Sequence, residues 1–297
     1  MLISGTRLSG VIRAILLFAM VIPGSGCRNA EAPARTVELP AATVLHDTTF
    51  HSEALGRDVT YRVIAPASFQ AEQRIRIVYL LHGLGRDFRD WSEWSSIAEL
   101  AAKGYVLVMP EGGSSFYINS AMVPQDRYED FITHDLIRDA EKGLPRPMEP
   151  LDRAIVGISM GGYGAIVLSL KHPGLYGFAG ALSPPVEVTA RPFRLLKLSN
   201  SLGFRRVFGP AGSATRIADD PFMLERKAEA GRTTFLFLSA GESEPLLEPI
   251  KRFEVLLQAR NISHEFRTQP GGHDWAQWNA QLPELIKALE ASRNGTP

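Results

Sequence analysis

The sequence has little cysteine and no excess of charge of either sign. Cys27 is the only cysteine among 297 residues, which excludes a framework of internal disulfides. The 32 basic residues are balanced by 32 acidic ones, and this balance argues against nucleic acid or an anionic surface as a partner. The sequence also lacks a cluster of ligands typical of a metal site, so we expect neither a metal nor an organic cofactor.

The N-terminal segment lacks an apolar run long enough to span a bilayer, and residues 1–27 are typical of an export signal. Arg7 and Arg13 precede the apolar stretch AILLFAMVI, which small residues follow. This stretch is far shorter than the about 20 residues that a membrane-spanning helix needs. We therefore predict a signal peptide and an exported protein that is periplasmic, secreted or anchored to a membrane as a lipoprotein.

Cys27 stands where a bacterial lipoprotein is cleaved and lipidated, and lipidation there would be the protein's attachment to a membrane. Such sites usually carry Leu three residues before the cysteine, whereas this sequence has Gly24. The alternative is a plain signal peptide with an incidental cysteine. Residues 28–42, rich in Ala and Pro, are predicted to form a tether.

The pattern changes from residue 43 onward. Two β-branched and aromatic segments, 43–52 and 57–66, predict an antiparallel pair of strands. Strands and helices then alternate, which predicts one α/β domain over residues 43–297, with a mostly parallel central sheet and helices on both faces. One of these helices is predicted from Phe88 to Ala101, where apolar residues recur at helical spacing.

Residues 184–231 are too many for a simple connection between two strands. They contain Pro, Gly and scattered helical turns. We predict an insertion over one end of the sheet that forms a lid or a substrate wall. The alternative is an appendage that only packs against the domain.

Ser159 lies between Gly157 and Gly161 in a Gly-x-Ser-x-Gly pattern, with a strand before it and a helix after it. A nucleophile at such a junction has a strained backbone, so the residues two before and two after it must lack bulk. The dipole of the following helix favours negative charge at this point. Gly162 and Gly164 would let the helix pack close to the sheet. Ser159 is therefore the predicted nucleophile.

A serine hydroxyl is a weak nucleophile and needs a base, which in this fold follows the serine and the acid along the chain. His273 lies in a glycine-rich loop between the last predicted strand and the closing helix, and it is the predicted base. The other histidines are interpreted as structural, surface or separate-motif residues: His46, His51, His82, His134, His172 and His264.

The acid that orients the base should follow the strand TTFLFLSAG. The next residues offer Glu242 and Glu244, and either glutamate can replace the usual aspartate. Asp274 is a third candidate, although a residue rarely points back at the ring of its sequence neighbour.

An oxyanion hole needs two N–H donors. Met160, directly after the nucleophile, supplies one. The second is expected from the loop after the third strand, LLHGLGRD, where we predict the N–H of Leu84.

Several segments occur in an order that is found in one known family: YLLHGLGRDFRDW, MPEGGSSFYINS, RYEDFITHDLI, GISMGGYGA, FLSAGESEPLLEPIKRFEVLLQARNISHEF and PGGHDWAQW. Over about residues 43 to 290 the chain resembles the esterase family of α/β-hydrolases. This family holds esterase D (S-formylglutathione hydrolase), tributyrin-type carboxylesterases, feruloyl and acetyl xylan esterases, and mycolyl transferases. The resemblance implies the α/β-hydrolase fold.

The resemblance also implies roles for individual residues. The family's acid stands in a Cys-Gly-x-x-Asp-x-Leu pattern, and Gly241 and Glu244 match its glycine and aspartate, which favours Glu244 with a departure from Asp to Glu. The family places the second oxyanion donor at Leu84. Gly83 and the loop residues Gly112, Gly113 and Tyr117 are expected to contact substrate, and the alternative for this loop is an architectural role.

These observations favour an exported serine carboxylesterase that hydrolyses small acyl or phenolic esters through Ser159, His273 and Glu244, with a small-molecule ester as its partner. Acyl transfer of the mycolyl-transferase type is an alternative. S-formylglutathione hydrolysis is disfavoured by the export signal, since that chemistry is cytosolic. A non-catalytic binding module is disfavoured because a serine, a carboxylate and a histidine stand in the order that catalysis requires.

Overall fold

The computed structural model describes residues 37–69, 75–191, 198–226 and 234–292. The predicted signal peptide, Cys27 and most of the predicted tether lie outside the described residues. Within the described ranges, no helix combines the length and the apolar character needed to cross a membrane.

A single eight-stranded sheet runs through the described part of the chain. Its strands are β1 Thr43–Ser52, β2 Arg57–Pro66, β3 Arg76–Leu81, β4 Tyr105–Pro110, β5 Arg153–Ile158, β6 Phe178–Leu182, β7 Phe235–Gly241 and β8 His264–Gln269. Their spatial order is β1-β2-β4-β3-β5-β6-β7-β8. Strand β2 is antiparallel to β1 and β4, and the remaining pairs are parallel. The predicted fold class and the predicted antiparallel pair at the start are confirmed.

Helices lie between the strands. They are α1 Asp90–Trp94, α2 Glu99–Ala102, α3 Tyr128–Asp130, α4 Ile137–Glu141, α5 Met160–Lys171, α6 Leu198–Phe208, α7 Ala214–Ala218, α8 Pro221–Glu225, α9 Leu247–Ala259 and α10 Trp275–Ala291. A π-helical turn, Phe131–Leu136, joins α3 to α4, and 3₁₀ turns occupy Pro150–Asp152 and Val188–Ala190.

The prediction of one continuous helix from Phe88 to Ala101 is wrong, because two short helices, α1 and α2, occupy this stretch. Ser95 ends α1 with an extended backbone. Its hydroxyl donates to the carbonyl of Trp91 at 2.6 Å and accepts from the N–H of Ile97 at 3.2 Å. Serine side chains compete in this way with helical hydrogen bonds. Trp91 and Ile97 are both almost fully buried. The spacing of apolar residues therefore reflects burial in the core and not a continuous helix.

The central strands are covered by apolar cores on both faces of the sheet. Along β3, Tyr79 and Leu81 belong to the apolar core on one face of the sheet, whereas Val78 and Leu80 belong to the core on the other. Successive side chains of a strand point to opposite faces, so a strand that is covered twice is apolar throughout. Strands β3, β5, β7 and β8 run in the same direction, so the loops that follow them lie at the same edge of the sheet.

A buried ionic network connects the segment 184–231 to the rest of the domain. The ammonium of Lys171, at the end of α5, bonds the carboxylate of Glu129 and, at 2.6 Å, that of Asp219, which lies just before α8. His172 also contacts Glu129, at 2.8 Å. The hydroxyl of Tyr163, on α5, donates to the carbonyl of Asp219 at 2.5 Å. The helix that follows Ser159 is thus tied directly to the insertion.

We expect Lys171→Met to destabilise the protein by about 3 kcal/mol, because it leaves the buried carboxylate of Asp219 without its cation and leaves Glu129 with His172 alone. The side chains of Glu129 and Asp219 are only 10% and 5% exposed. Urea unfolding measures the change. The matched control is Lys251→Met, because Lys251 pairs with Glu248 on the surface and its loss should cost less than about 1 kcal/mol. Equal costs for the two variants would show that the network contributes nothing.

Candidate active site

The backbone of Ser159 is held in a strained conformation at the turn between β5 and α5. Its φ is +50° and its ψ is −116°, a region that residues other than glycine rarely adopt. A Cβ on Gly157 would lie 2.1 Å from the carbonyl carbon of Gly161, and one on Gly161 would lie 2.2 Å from the carbonyl oxygen of Leu81. Only glycine fits at either position, so both flanking glycines are required by the turn.

The two later glycines of α5 have different neighbours. A Cβ on Gly162 would lie 3.1 Å from the carbonyl oxygen of Leu182, on β6, so this residue packs close to the sheet as predicted. A Cβ on Gly164 would instead lie 2.7 Å from the ring of Tyr117. Gly164 therefore makes room for a buried tyrosine rather than for the sheet.

His273 bridges Ser159 and Glu244. Its Nε2 lies 2.9 Å from Oγ of Ser159, and its Nδ1 lies 2.7 Å from Oε2 of Glu244. A carboxylate can only accept, so Nδ1 carries the proton and Nε2 is free to accept from the serine hydroxyl. The Ser159 side chain makes no capping bond to α5, which leaves its hydroxyl available to the histidine.

The carboxylate of Glu244 is fully buried and fixed from its other side. Its side chain has no exposed surface, and its Oε1 accepts the N–H of Gly241 at 2.9 Å. The two rival carboxylates lie elsewhere: Glu242 is exposed, and Asp274 accepts the N–H of Gln277 at 3.1 Å and caps α10. The structure thus brings Glu244, and neither rival, to the predicted base.

Two tryptophans, Trp278 and Trp275, form an aromatic cluster against His273, and neither was predicted as a site residue. The ring of Trp278 meets the imidazole edge to face, with centroids 5.2 Å apart, and Trp275 packs on Trp278 at 5.4 Å. The indole N–H of Trp278 donates to Oγ of Ser183 at 3.0 Å. The signal was present in HDWAQW, where two tryptophans three residues apart share a helix face next to the histidine.

Met160 and Leu84, the two predicted oxyanion donors, both line the cleft that contains Ser159. Met160 is the first residue of α5, so its N–H has no acceptor within the helix. A Cβ on Gly83 would lie 3.8 Å from Cβ of Ser159, which places the peptide between Gly83 and Leu84 beside the nucleophile. A chain of hydrogen bonds fixes this loop, because Nδ1 of His82 donates to the carbonyl of Gly83 at 2.8 Å and Nε2 accepts from Gly112 at 2.8 Å.

Tyr117 supports the same loop from the interior. It is fully buried, and its hydroxyl donates to the carbonyl of His82 at 3.1 Å. Gly113 has a φ of +52° and donates its N–H to Glu111 at 2.8 Å. The contacts of Tyr117 and Gly113 are those of loop architecture, the second of the two predicted alternatives, whereas Gly83 lies beside the nucleophile.

A cleft of about 380 Å³ opens over Ser159 and His273. Its lining is mainly apolar and includes one arginine: Leu84, Phe116, Met160, Pro185, Val188, Arg191, Phe204, Pro245 and Leu246. This lining suits an uncharged ester group at the serine. In the described part of the chain, no three His, Cys, Asp or Glu side chains are grouped as a metal site.

Comparisons with known proteins identify the family and the fold. The family model described as "Putative esterase" matches residues 52–289. An acetyl esterase of Caldicellulosiruptor saccharolyticus is 27% identical over 254 residues, which cover 80% of this chain and 95% of that protein. An esterase of Mycobacterium tuberculosis is 31% identical over 252 residues, which cover 75% of this chain but only 54% of that protein. A fluorophosphonate-binding serine hydrolase of Staphylococcus aureus superposes with a TM-score of 0.72 at 24% identity, covering 83% of this chain and 98% of that one.

Asp90 lies next to the tryptophan cluster and is almost fully buried. Burial raises its pKa to about 6, although Arg86, 3.9 Å away, and the indole N–H of Trp275, 3.3 Å away, both favour the charged form. In the unfolded chain the same carboxyl titrates near pH 4. Between these two values the folded state binds a proton that the unfolded state releases, so the protein loses stability as pH rises from about 4 to about 6.

We expect Asp90→Asn to abolish the loss of stability between about pH 4 and about pH 6. The variant should be more stable than the parent by about 3 kcal/mol at pH 7, with the difference shrinking toward zero at pH 4. Urea unfolding at pH 4, 5, 6 and 7 measures it. An Asn variant that is less stable than the parent at pH 7 would show that the ionised carboxylate is stabilising here.

Proposed function

The chain belongs to the Putative esterase family and is a carboxylic-ester hydrolase, and from this premise we propose that it is an exported serine esterase acting through Ser159, His273 and Glu244. The observation that carries the assignment is the continuous line of hydrogen bonds from the buried Glu244 through His273 to Ser159, at a turn whose strain exposes the serine. Export is supported by the segment before residue 28.

In the first half of the reaction, Oγ of Ser159 attacks the ester carbonyl while Nε2 of His273 takes its proton. Glu244 holds the proton on Nδ1 and stabilises the imidazolium that forms. The N–H groups of Met160 and Leu84 receive the oxyanion of the tetrahedral intermediate. His273 then protonates the departing alcohol and leaves the acyl group on the serine.

In the second half, water replaces the alcohol and the same groups act again. Water reaches the base easily, because the His273 side chain is 35% exposed. This access favours hydrolysis over transfer of the acyl group to a second alcohol, which would need water to be kept from the acyl-enzyme. Small acyl or phenolic esters fit the apolar cleft above the serine.

The test is the hydrolysis of 4-nitrophenyl esters from acetate to octanoate by protein that lacks residues 1–27. We expect Ser159→Ala to abolish turnover and Glu244→Gln to lower kcat by about 1,000-fold or more, because the amide cannot hold the imidazolium in place. Glu242→Gln is the matched control: it removes the same charge two residues away, at an exposed position, and should change kcat by less than about twofold.

Two results would contradict the proposal. One is ester hydrolysis that persists in Ser159→Ala. The other is an equal loss of kcat in the two glutamine variants, which would mean that Glu244 does not orient the base.

A further inference from the structure

A second and larger cleft adjoins the catalytic cleft. Its volume is about 590 Å³, and it shares Leu84, Phe116 and Phe204 with the cleft over Ser159. These three side chains form the boundary between the two spaces. A substrate bound at the serine can therefore extend past them into the second cleft.

The reaction geometry decides which part of the ester extends there. The departing oxygen must face Nε2 of His273 to be protonated, so the alcohol lies on the side of His273 and its neighbours Pro245 and Leu246. Those residues line the catalytic cleft only. The acyl chain leaves the carbonyl carbon in the opposite direction, and the second cleft, which His273 does not line, lies beyond the shared boundary. The second cleft is thus placed to receive the acyl group.

The boundary of the second cleft is an aromatic cluster. The ring of Phe116 lies 5.3 Å from that of Phe204 and 5.1 Å from that of Phe208. The backbone of Phe116 has a φ of +55°, which marks a conformation held by its surroundings. An alkyl or aryl chain would bury apolar surface against these rings.

The lining of the second cleft also includes polar side chains, among them the guanidinium of Arg57. Arg57 lines this cleft and not the catalytic one. Among the described residues, the one hydrogen bond of its side chain goes to the hydroxyl of Tyr128, at 2.7 Å. A guanidinium has five N–H donors in a planar fork that matches a carboxylate. Most of the donors of Arg57 therefore face no acceptor within the described part of the protein.

The other two charged side chains that line this cleft are paired with each other. Arg206 bonds the carboxylate of Asp126 at 2.9 Å. Glu111 accepts the N–H of Gly113 at 2.8 Å and lies 3.5 Å from His82. Arg57 is consequently the group that an anionic ligand in this cleft would meet without displacing an existing ion pair.

We propose that the second cleft binds the acyl chain of the substrate and that Arg57 binds a carboxylate at the end of that chain. The substrate class is then the monoesters of dicarboxylic acids. Hydrolysis breaks the bond between the acyl carbon and the alcohol oxygen, adds the hydroxyl of water to the acyl carbon and gives the alcohol its proton from His273. The products are the alcohol and a dicarboxylate. This inference rests on the proposed esterase activity.

The experiment compares aryl esters that share one leaving group, 4-methylumbelliferone, and differ at the end of the acyl chain. The acyl groups are adipate and suberate with a free carboxylate, and the same chains ending in a primary carboxamide as neutral counterparts. The measured quantity is the ratio of kcat/KM for the carboxylate to kcat/KM for the amide at each chain length. We expect a ratio of at least about 10 for one of the two lengths, from a charge-assisted bidentate contact.

Arg57→Gln should lower this ratio about tenfold, mainly through the KM of the carboxylate esters. Arg57→Lys should keep part of the preference, because it retains the charge but loses the fork. The matched control is Arg127→Gln, which removes the same charge next to Tyr128 from a residue that pairs with Asp130 and does not line the cleft. The ratio should stay at its parental value in that variant.

Hydrolysis of the amides with no preference for the carboxylates at either length would overturn the inference and leave the esterase intact. An equal loss of preference in Arg57→Gln and Arg127→Gln would also overturn it, because the effect would then be one of overall charge. Failure to hydrolyse any of the four esters would contradict the proposed function itself.

Discussion

The site depends on one backbone constraint, the positive φ of Ser159. Such a conformation costs of order 1–3 kcal/mol and persists only where the surroundings determine it. Here the N–H of Ser159 donates to the carbonyl of Leu182 at 2.8 Å, and its carbonyl accepts the N–H of Tyr163 at 3.0 Å. Gly157 and Gly161 let the neighbouring backbone approach closely enough to maintain these bonds. The strain directs the hydroxyl toward His273 and leaves the start of α5 open behind it.

The other components are carried to that point by the parallel sheet. The oxyanion loop follows β3, Glu244 follows β7 and His273 follows β8, so every component stands on a loop at the same edge of the sheet. Each loop is fixed again by internal contacts: His82 and Tyr117 hold the oxyanion loop, the N–H of Gly241 holds Glu244, and Trp278 holds His273. Preorganisation of this kind lowers the cost of reaching the transition state.

Much of this arrangement could be predicted from the sequence, because its main signals are local. The β-branched and aromatic segments marked β1 and β2 to the residue. The chain order indicated Ser159 and His273, and the family resemblance favoured Glu244 over Glu242. Most of what could not be predicted depends on contacts between distant segments. The packing of Gly164 on Tyr117 and the high pKa of Asp90 each arise from groups that only the folded chain brings together. The wall formed by Phe116 and Phe204 has the same origin. The break at Ser95 has a local cause, the bonds of its hydroxyl to Trp91 and Ile97, but the regular apolar spacing hides it.

Ser159, held in the strained turn, is the proposed nucleophile of the site. A fluorophosphonate probe tests this most directly, because it reacts with an activated serine and its use requires no knowledge of the substrate. Intact-mass measurement and peptide mapping follow the reaction of the protein lacking residues 1–27. The account predicts one adduct per chain, on Ser159, that forms much more slowly when His273 is replaced by Ala. An adduct on another residue, or none on the folded protein, would contradict it.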